Sequence, residues 1–343
     1  MKIGNIMVNA AYLGSKVLTA IAVGATKVWE GVSKYIKFKD PVVEQICMKW
    51  SSDGIGLTRE DAAKVRYIGD TFRGNTEITS FDELKHFKNI KTLGDLREAG
   101  TNGVFNSCSN LESVTLSDSV TTVGARAFRR CIKLKKINIP SSITALGHYS
   151  FAYVPAPMIV NLPNLTKIEN YEGVNLMGTW YKSGVTRIES FGNPPYTDNL
   201  FDDGNHYGVF GACEDLVYAN LDNLEVVGSR FFRGCTSLHT ILIPRAIKLN
   251  AECFYGCSSL KEIDIPETVT DISYYVVRNC SSLMSIIIRS KLPCVIDPNA
   301  FVYTDATIYV PDESVDAYKS ATNWSAYADR IKPMSEYVEP TNE

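Results

Sequence analysis

Six of the nine cysteines in this 343-residue chain repeat in one setting. Phe105-x-x-Cys108, Phe128-x-x-Cys131, Phe210-x-x-Cys213, Phe232-x-x-Cys235 and Phe254-x-x-Cys257 place an aromatic three residues upstream, and Val277-x-x-Cys280 continues the series with the aromatic replaced. A cysteine becomes a nucleophile when a neighbouring base generates the thiolate, and a metal ligand when other ligands stand at short spacing. Neither pattern is present. No His or Lys recurs beside these positions, no CxxC pair exists, and within each run the cysteines stand 22 or 23 residues apart. The spacing predicts a buried ladder of small apolar side chains contributed by successive turns of one repeating fold. His86, His148, His206 and His239 are scattered, with no HExxH, and the chain holds no Walker A, GxGxxG or GxSxG motif. Catalytic residues, cofactors and metals are therefore not assigned.

The elements that position the cysteines follow from what comes next in each repeat. Leu stands three residues after the cysteine and opens an aliphatic strand: "LESVTL", "LKKINIP", "LHTILIP", "LKEIDIP", "LMSIII". A period of 20 to 29 residues with L-x-x-I-x-I strands marks a solenoid whose coils bury their apolar edges only against neighbouring coils. Leu and two Ile slots point inward, Pro140, Pro244 or Pro266 ends the strand, and the Phe and Cys slots pack the opposite side. Outward positions include Ser113, Thr115, Lys136, Asn138, Thr240, Leu242, Glu262, Asp264, Ser285 and Ile287. Their mixed polarity suits contact with protein or glycan, with Lys136, Asn138, Thr240, Glu262 and Asp264 as recognition candidates.

The clearest copy, "VTTVGARAFRRCIKLKKINIP" (120–140), resembles the BspA-like leucine-rich repeat family found in bacterial surface proteins and also in phages and some protists. The resemblance runs from about 105 to 311. It implies an α/β repeat solenoid of 22–23-residue coils and a non-enzymatic role in recognition.

The solenoid is expected over 68–311. Between Phe151 and Phe210 the repeat degenerates, and "FGNPPYTDNLFDDGNHYGVF" adds residues near 192–209. Such an insertion loops outward, and its Tyr, Asn, Asp and Gly content is that of adaptable binding loops, making Tyr196, Asp202, Asp203, His206 and Tyr207 further recognition candidates. Residues 312–343 read as a helical cap that places Val315, Tyr318, Trp324, Tyr327 and Ile331 over the last coil, followed by a loose tail.

Ahead of the repeats, "KDPVVEQICMKW" carries Asp40 as N-cap and Pro41 at the first helical position, and Thr58 with Asp61 starts a second helix. This helix–loop–helix, an adaptor over 39–67, is similar to an EF-hand or dockerin unit, but only Asp53 stands at a ligand position, so it reads as a structural remnant without calcium. In residues 1–38, Gly4, Gly14 and Gly24 recur ten apart in apolar segments that predict small antiparallel strands needing a docking partner. The "YLGS" and "VGATKVWE" units resemble amino-terminal tags of phage and prophage proteins of gut Bacteroidetes. That resemblance implies attachment to virion proteins or to sister copies, with Tyr12, Val23 and Trp29 as assembly residues. A secretory leader around "VLTAIAVGA" (17–25) is not expected, because the region before it is too long and apolar.

With 35 basic and 38 acidic residues, the net charge of -3 gives no electrostatic case for nucleic acid. No apolar run reaches the length of a membrane span. The expected protein is a virion-attached or extracellular recognition protein directed at protein or glycan on a bacterial surface; the alternative is an exported bacterial adhesin of the same fold.

Overall fold

The structure is a computed structural model that describes residues 34–96, 103–169, 178–195 and 208–339, plus the backbone of four short strands before residue 31. Those four strands form two antiparallel pairs, Lys2–Ile3 with Ile6–Met7 and Ala20–Val23 with Thr26–Glu30.

The coil around Cys131 shows how the repeat closes. Cys131 N–H donates to the Phe128 carbonyl and Leu134 N–H to the Cys131 carbonyl, at 3.2 and 3.0 Å, so two successive turns deliver the chain to the strand Lys136–Ile137. Ile143 N–H then donates to the Pro140 carbonyl at 3.1 Å, turning the chain into the second strand, Ala145–Gly147. Each strand pairs in parallel with its equivalent in the neighbouring coil. One ladder stacks Ser80–Phe81, Ser113–Val114 and Lys136–Ile137, and resumes through Met158–Leu162, Val185–Phe191, Tyr218–Asn220 and Thr240–Leu242. It ends with Glu262–Ile265, Ser285–Ile288, Thr307–Val310 and Ile331–Pro333. The other ladder runs from Thr92–Leu93 to Lys167–Glu169 and from Val226–Val227 to Val295–Ile296.

The third side is built of turns, not helix. There, residues two before and two after the Phe slot take left-handed backbone, as in Arg126 and Arg130 (φ 55° and 61°) and Tyr149 and Tyr153 (φ 56° and 59°). Alternate N–H groups bond within the coil and to the next coil: Arg126 to His148, Phe128 to Ser150 and Arg130 to Ala152, at 2.8–3.0 Å. The backbone of this side is thus satisfied by a third hydrogen-bonded ladder.

Inside, a spine of rings runs Phe72, Phe105, Phe128, Phe151, Trp180, Phe210, Phe232, Phe254, each stacked on the next at 4.7–5.8 Å. Every ring in the spine is buried, a contribution on the order of 2 kcal/mol apiece. Three of its rings lie outside the Phe-x-x-Cys set, one of them Phe151, followed by Val154 in the Cys slot. Phe72-x-x-Asn75 opens the spine, and Trp180-x-x-Ser183 fills the stretch whose repeat was expected to degenerate.

Three coils exceed the basic period, each ahead of its Phe slot. The chain re-enters the coil at Gly103, Gly178 and Gly208, two residues before Phe105, Trp180 and Phe210. A Cβ at Gly103 would stand 1.9 Å from the Arg126 carbonyl oxygen, and one at Gly208 2.4 Å from that of Arg230. Close approach to the following coil, rather than a positive φ, selects glycine at these returns.

Both ends of the array are covered. At the start, Asp40 caps the helix Pro41–Cys47 through Oδ1, accepting from Val42 and Val43 N–H, while its Oδ2 accepts from Thr79 N–H, Thr79 Oγ1 and Ser80 N–H. Burial opposes ionisation of this carboxyl, but the donors from Thr79, Val43 and Ser80 outweigh it and hold its pKa below the usual range. Phe38 packs on Phe81 and Trp50 on Phe87. At the far end Tyr318, Trp324, Tyr327 and Ile331 are buried and Val315 packs partly against them. Cap side chains take backbone carbonyls that a further coil would have taken: Trp324 Nε1 donates to Cys294, Asn323 to Ile296, and Arg330 to Thr304 and Phe301. The segment after the cap was expected to be loose. Instead Tyr337 packs edge-on against Tyr309 at 5.2 Å and its hydroxyl donates to Glu262.

Candidate recognition face

The thiols are closed to chemistry by their positions. Each of the six donates to the backbone carbonyl of the spine residue one coil back: Cys108 to Phe72, Cys131 to Phe105, Cys213 to Trp180, Cys235 to Phe210, Cys257 to Phe232 and Cys280 to Phe254, at 2.9–3.4 Å. They are hydrogen-bond donors as well as fillers, a role the spacing alone did not disclose. Burial pushes the thiols of Cys108 and Cys213 up to about 12, and those of Cys131, Cys235 and Cys257 well above the ordinary cysteine range. An open cleft of about 430 Å³, lined by Tyr67, Thr92, Gly94, Asp95, Leu96 and Thr122, brings one carboxylate and no base. Asp53 of the helix–loop–helix is bonded to Ile55 and Gly56 N–H, Tyr35 and Lys34, which stitch the loop to the preceding segment.

The strand candidates divide. Lys136 and Thr240 are exposed on the first ladder. Asn138 bridges to the backbone of Leu116, through N–H at 2.6 Å and the carbonyl at 3.1 Å. Asp264 is held by both arms of Arg289 at 2.9 and 2.8 Å, and Glu262 is covered by Tyr337. Tyr12, Tyr196, Asp202, Asp203, His206 and Tyr207 lie outside the described residues. Val23 and Trp29 are described by backbone alone, paired with Thr26 and Ile21.

The richest exposed chemistry lies on the turn side, where the outward residues around the Phe slot are Arg and Tyr. At the carboxy-terminal end this cluster is internally neutralised. Arg230 and Arg233 share Glu252, at 2.9 and 3.7 Å, and the Arg278 guanidinium sits 4.5–5.8 Å from the rings of Tyr255, Tyr275 and Tyr303. At the amino-terminal end the balance differs. Arg126, Arg129 and Arg130 crowd one coil, and among the described residues none of the three has an ion-pair partner. Arg129 lies over the Tyr149 ring at 5.2 Å. The following coils add Tyr153, Tyr181 and Lys182, with the two tyrosine rings edge-on at 5.4 Å.

The crowding has an electrostatic signature. Burial, with repulsion from Arg130 and Arg126, lowers the Arg129 pKa. His148, buried beneath, is lowered to about 4, mostly by burial and further by Arg126 and Arg129. The cluster was not among the expected recognition residues, which were taken from the strands and the insertion. The sequence signal was present in "ARAFRRC", "HYSFAYV" and "TWYKSG", read outward from the Phe slot instead of along the strands.

Coils with two parallel ladders, a ring spine and a thiol ladder define a leucine-rich parallel β-solenoid with caps at both ends. The chain belongs to the BspA-type leucine-rich repeat family, whose model matches in six copies over residues 75–190 and 206–320, well over half of the chain. The match begins about one coil before residue 105, where the resemblance was placed, and inside the solenoid expected over 68–311. Among solved structures, the chain is similar to a leucine-rich repeat protein from Bacteroides ovatus (17% identity, 77% of this chain and 86% of that one, TM-score 0.31). It is also similar to the pneumococcal vaccine antigen PcpA (16%, 72% and 76%, TM-score 0.35) and to a leucine-rich cell surface protein from Faecalibacterium prausnitzii (17%, 93% and 86%, TM-score 0.30). No curated protein matches the chain significantly.

Proposed function

We propose that this chain is a non-enzymatic recognition protein that presents the sides of a rigid solenoid to protein or glycan on a bacterial surface, carried on a virion through residues 1–38. One observation carries the recognition reading: buried slots repeat while their half-buried, outward neighbours do not. The spine and thiol positions hold Phe and Cys coil after coil, whereas the residue two before the ring is Arg126, Tyr149, Arg230, Glu252 and Tyr275 in turn. Packing demands the first kind of sameness and is indifferent to the second, so the outward set is free to match a partner. The virion setting rests on the resemblance of the amino-terminal segment. The alternative, an exported adhesin, shares the recognition surface and differs in how the chain is delivered.

Light scattering on the full chain and on a version lacking residues 1–38, with the amino terminus sequenced, separates the settings. A full chain that keeps Met1 and assembles while the shorter one is monomeric supports attachment through that segment; a mature chain starting near residue 26 supports the adhesin. Labelled full chain is also expected to bind whole bacterial cells, and its failure on every strain tried would remove the recognition reading.

A further inference from the structure

The basic cluster on the turn side allows a narrower statement, which rests on the recognition reading. We infer that Arg126, Arg129 and Arg130, flanked by Tyr149, Tyr153 and Lys182, form a binding site for a polysaccharide bearing carboxylate or sulfate groups.

Four observations support it. Three guanidiniums share one coil with no ion pair among the described residues, whereas at the other end of the same side Arg230 and Arg233 share Glu252 and Arg278 lies against three tyrosine rings. Like charges left unpaired side by side are unfavourable in the free protein and are relieved by an anionic ligand, to which planar guanidinium forks bond bidentately. Next, Arg126 Nη1 and Arg129 Nε are buried without a hydrogen-bond partner, so the protein does not compensate these guanidiniums from within, and Arg130 and Lys182 stand exposed beside them.

Third, the side chains occupy costly backbone. Arg130 and Tyr153 stand in left-handed positions that Gly234 and Gly256 fill in later coils. A non-glycine residue is disfavoured at such a position, so folding alone does not select arginine or tyrosine there. Fourth, the class of ligand follows from the surface. The backbone on this side is consumed by bonds between coils, leaving no free edge on which a peptide strand could add. What remains is a shallow platform of phenol rings and cationic forks, three coils or on the order of 10 Å long, the reach of a short run of sugar rings. Nucleic acid would need a longer basic track than this, on a chain whose net charge is not -3.

The test measures binding of the full chain to immobilised polygalacturonate, dextran sulfate, neutral dextran and poly-glutamate. Wild type is expected to prefer at least one acidic polysaccharide over both dextran and poly-glutamate, with binding weakened by added salt. Arg129→Gln is expected to reduce that binding about tenfold. Arg130→Gly is the second variant, because it removes a guanidinium while relieving the left-handed backbone, and should weaken binding at an unchanged or raised unfolding midpoint. Lys319→Gln, on the distant cap, controls for net charge and should bind as wild type.

Absence of binding to both acidic polysaccharides, equal binding to poly-glutamate, or equal loss in Lys319→Gln each overturns the assignment. Cell binding by the same variants separates the two levels. If wild type and both arginine variants bind cells equally, the glycan site falls and the recognition reading stands; if no version binds cells while polygalacturonate binding is lost with Arg129, the site stands without its proposed setting.

Discussion

The Cys131 thiol donates to the Phe105 carbonyl one coil back, 3.1 Å away. The same contact recurs from Cys108 to Cys280, so each of these six side chains both fills the interior and gives a second donor to a carbonyl that already accepts a turn N–H, as that of Phe105 does from Cys108. Replacing Cys131 with Ala should destabilise the protein by roughly 2 kcal/mol, through the void and the lost thiol hydrogen bond together. Cys131→Ser, which keeps a donor, should cost less. Urea unfolding of the two variants gives the ranking, and equal losses would mean that volume alone matters. In the native state a thiol reagent should leave all six untouched and react slowly at Cys294, which is partly exposed with its pKa raised to about 11.

Asp40 joins the amino-terminal cap to the first coil through its two carboxylate oxygens. Asp40→Ala removes a helix cap and leaves the Thr79 and Ser80 donors unsatisfied, so a loss of about 2–4 kcal/mol is expected. Hydrogen exchange should show the helix Pro41–Cys47 and the strand Ser80–Phe81 opening together in this variant, with the coils beyond Phe128 unaffected.

Arg330 does at the last coil what cysteine does elsewhere. It reaches the Phe301 carbonyl, the counterpart of the carbonyls that take thiols in the array. Arg330→Met preserves the stem and removes the donors, with an expected cost of about 2–3 kcal/mol, read as a lowered urea midpoint. An unchanged midpoint would assign the closure to Tyr318 and Trp324 instead.

His148 makes stability depend on pH in the mildly acid range. Its folded pKa of about 4 lies below the ordinary 6.5, so between these values the unfolded chain holds more protons than the folded one. Stability from this group is present above pH 6.5 and lost as pH falls toward 4. His148→Gln should flatten the fall in urea midpoint between pH 7 and 5, whatever its cost at pH 7.

The coils were legible because buried slots admit few residue types and recur at a fixed distance. Phe, Cys and Leu mark each coil, and the proline after the strand marks its end. Trp180-x-x-Ser183 and Phe72-x-x-Asn75 escaped notice because the same slots accept other shapes: Ser183 lies 3.6 Å from Cys213, and Asn75 turns its side-chain oxygen on Glu77 and Ile78 N–H. The arginine cluster was illegible for the opposite reason. Exposed positions share no residue type between coils, and only the left-handed turns around the Phe slot aim Arg126 and Arg130 to the same side. The contact of Tyr337 with Glu262 joins residues 75 apart and has no local signal.

The long coils that return at Gly103, Gly178 and Gly208 make this solenoid a natural host for grafting. Length has been added three times while the first strand ladder stayed paired across each addition. A foreign epitope spliced before a returning glycine would therefore be displayed beside the arginine platform, spaced by a whole number of coils from a graft before another of these glycines.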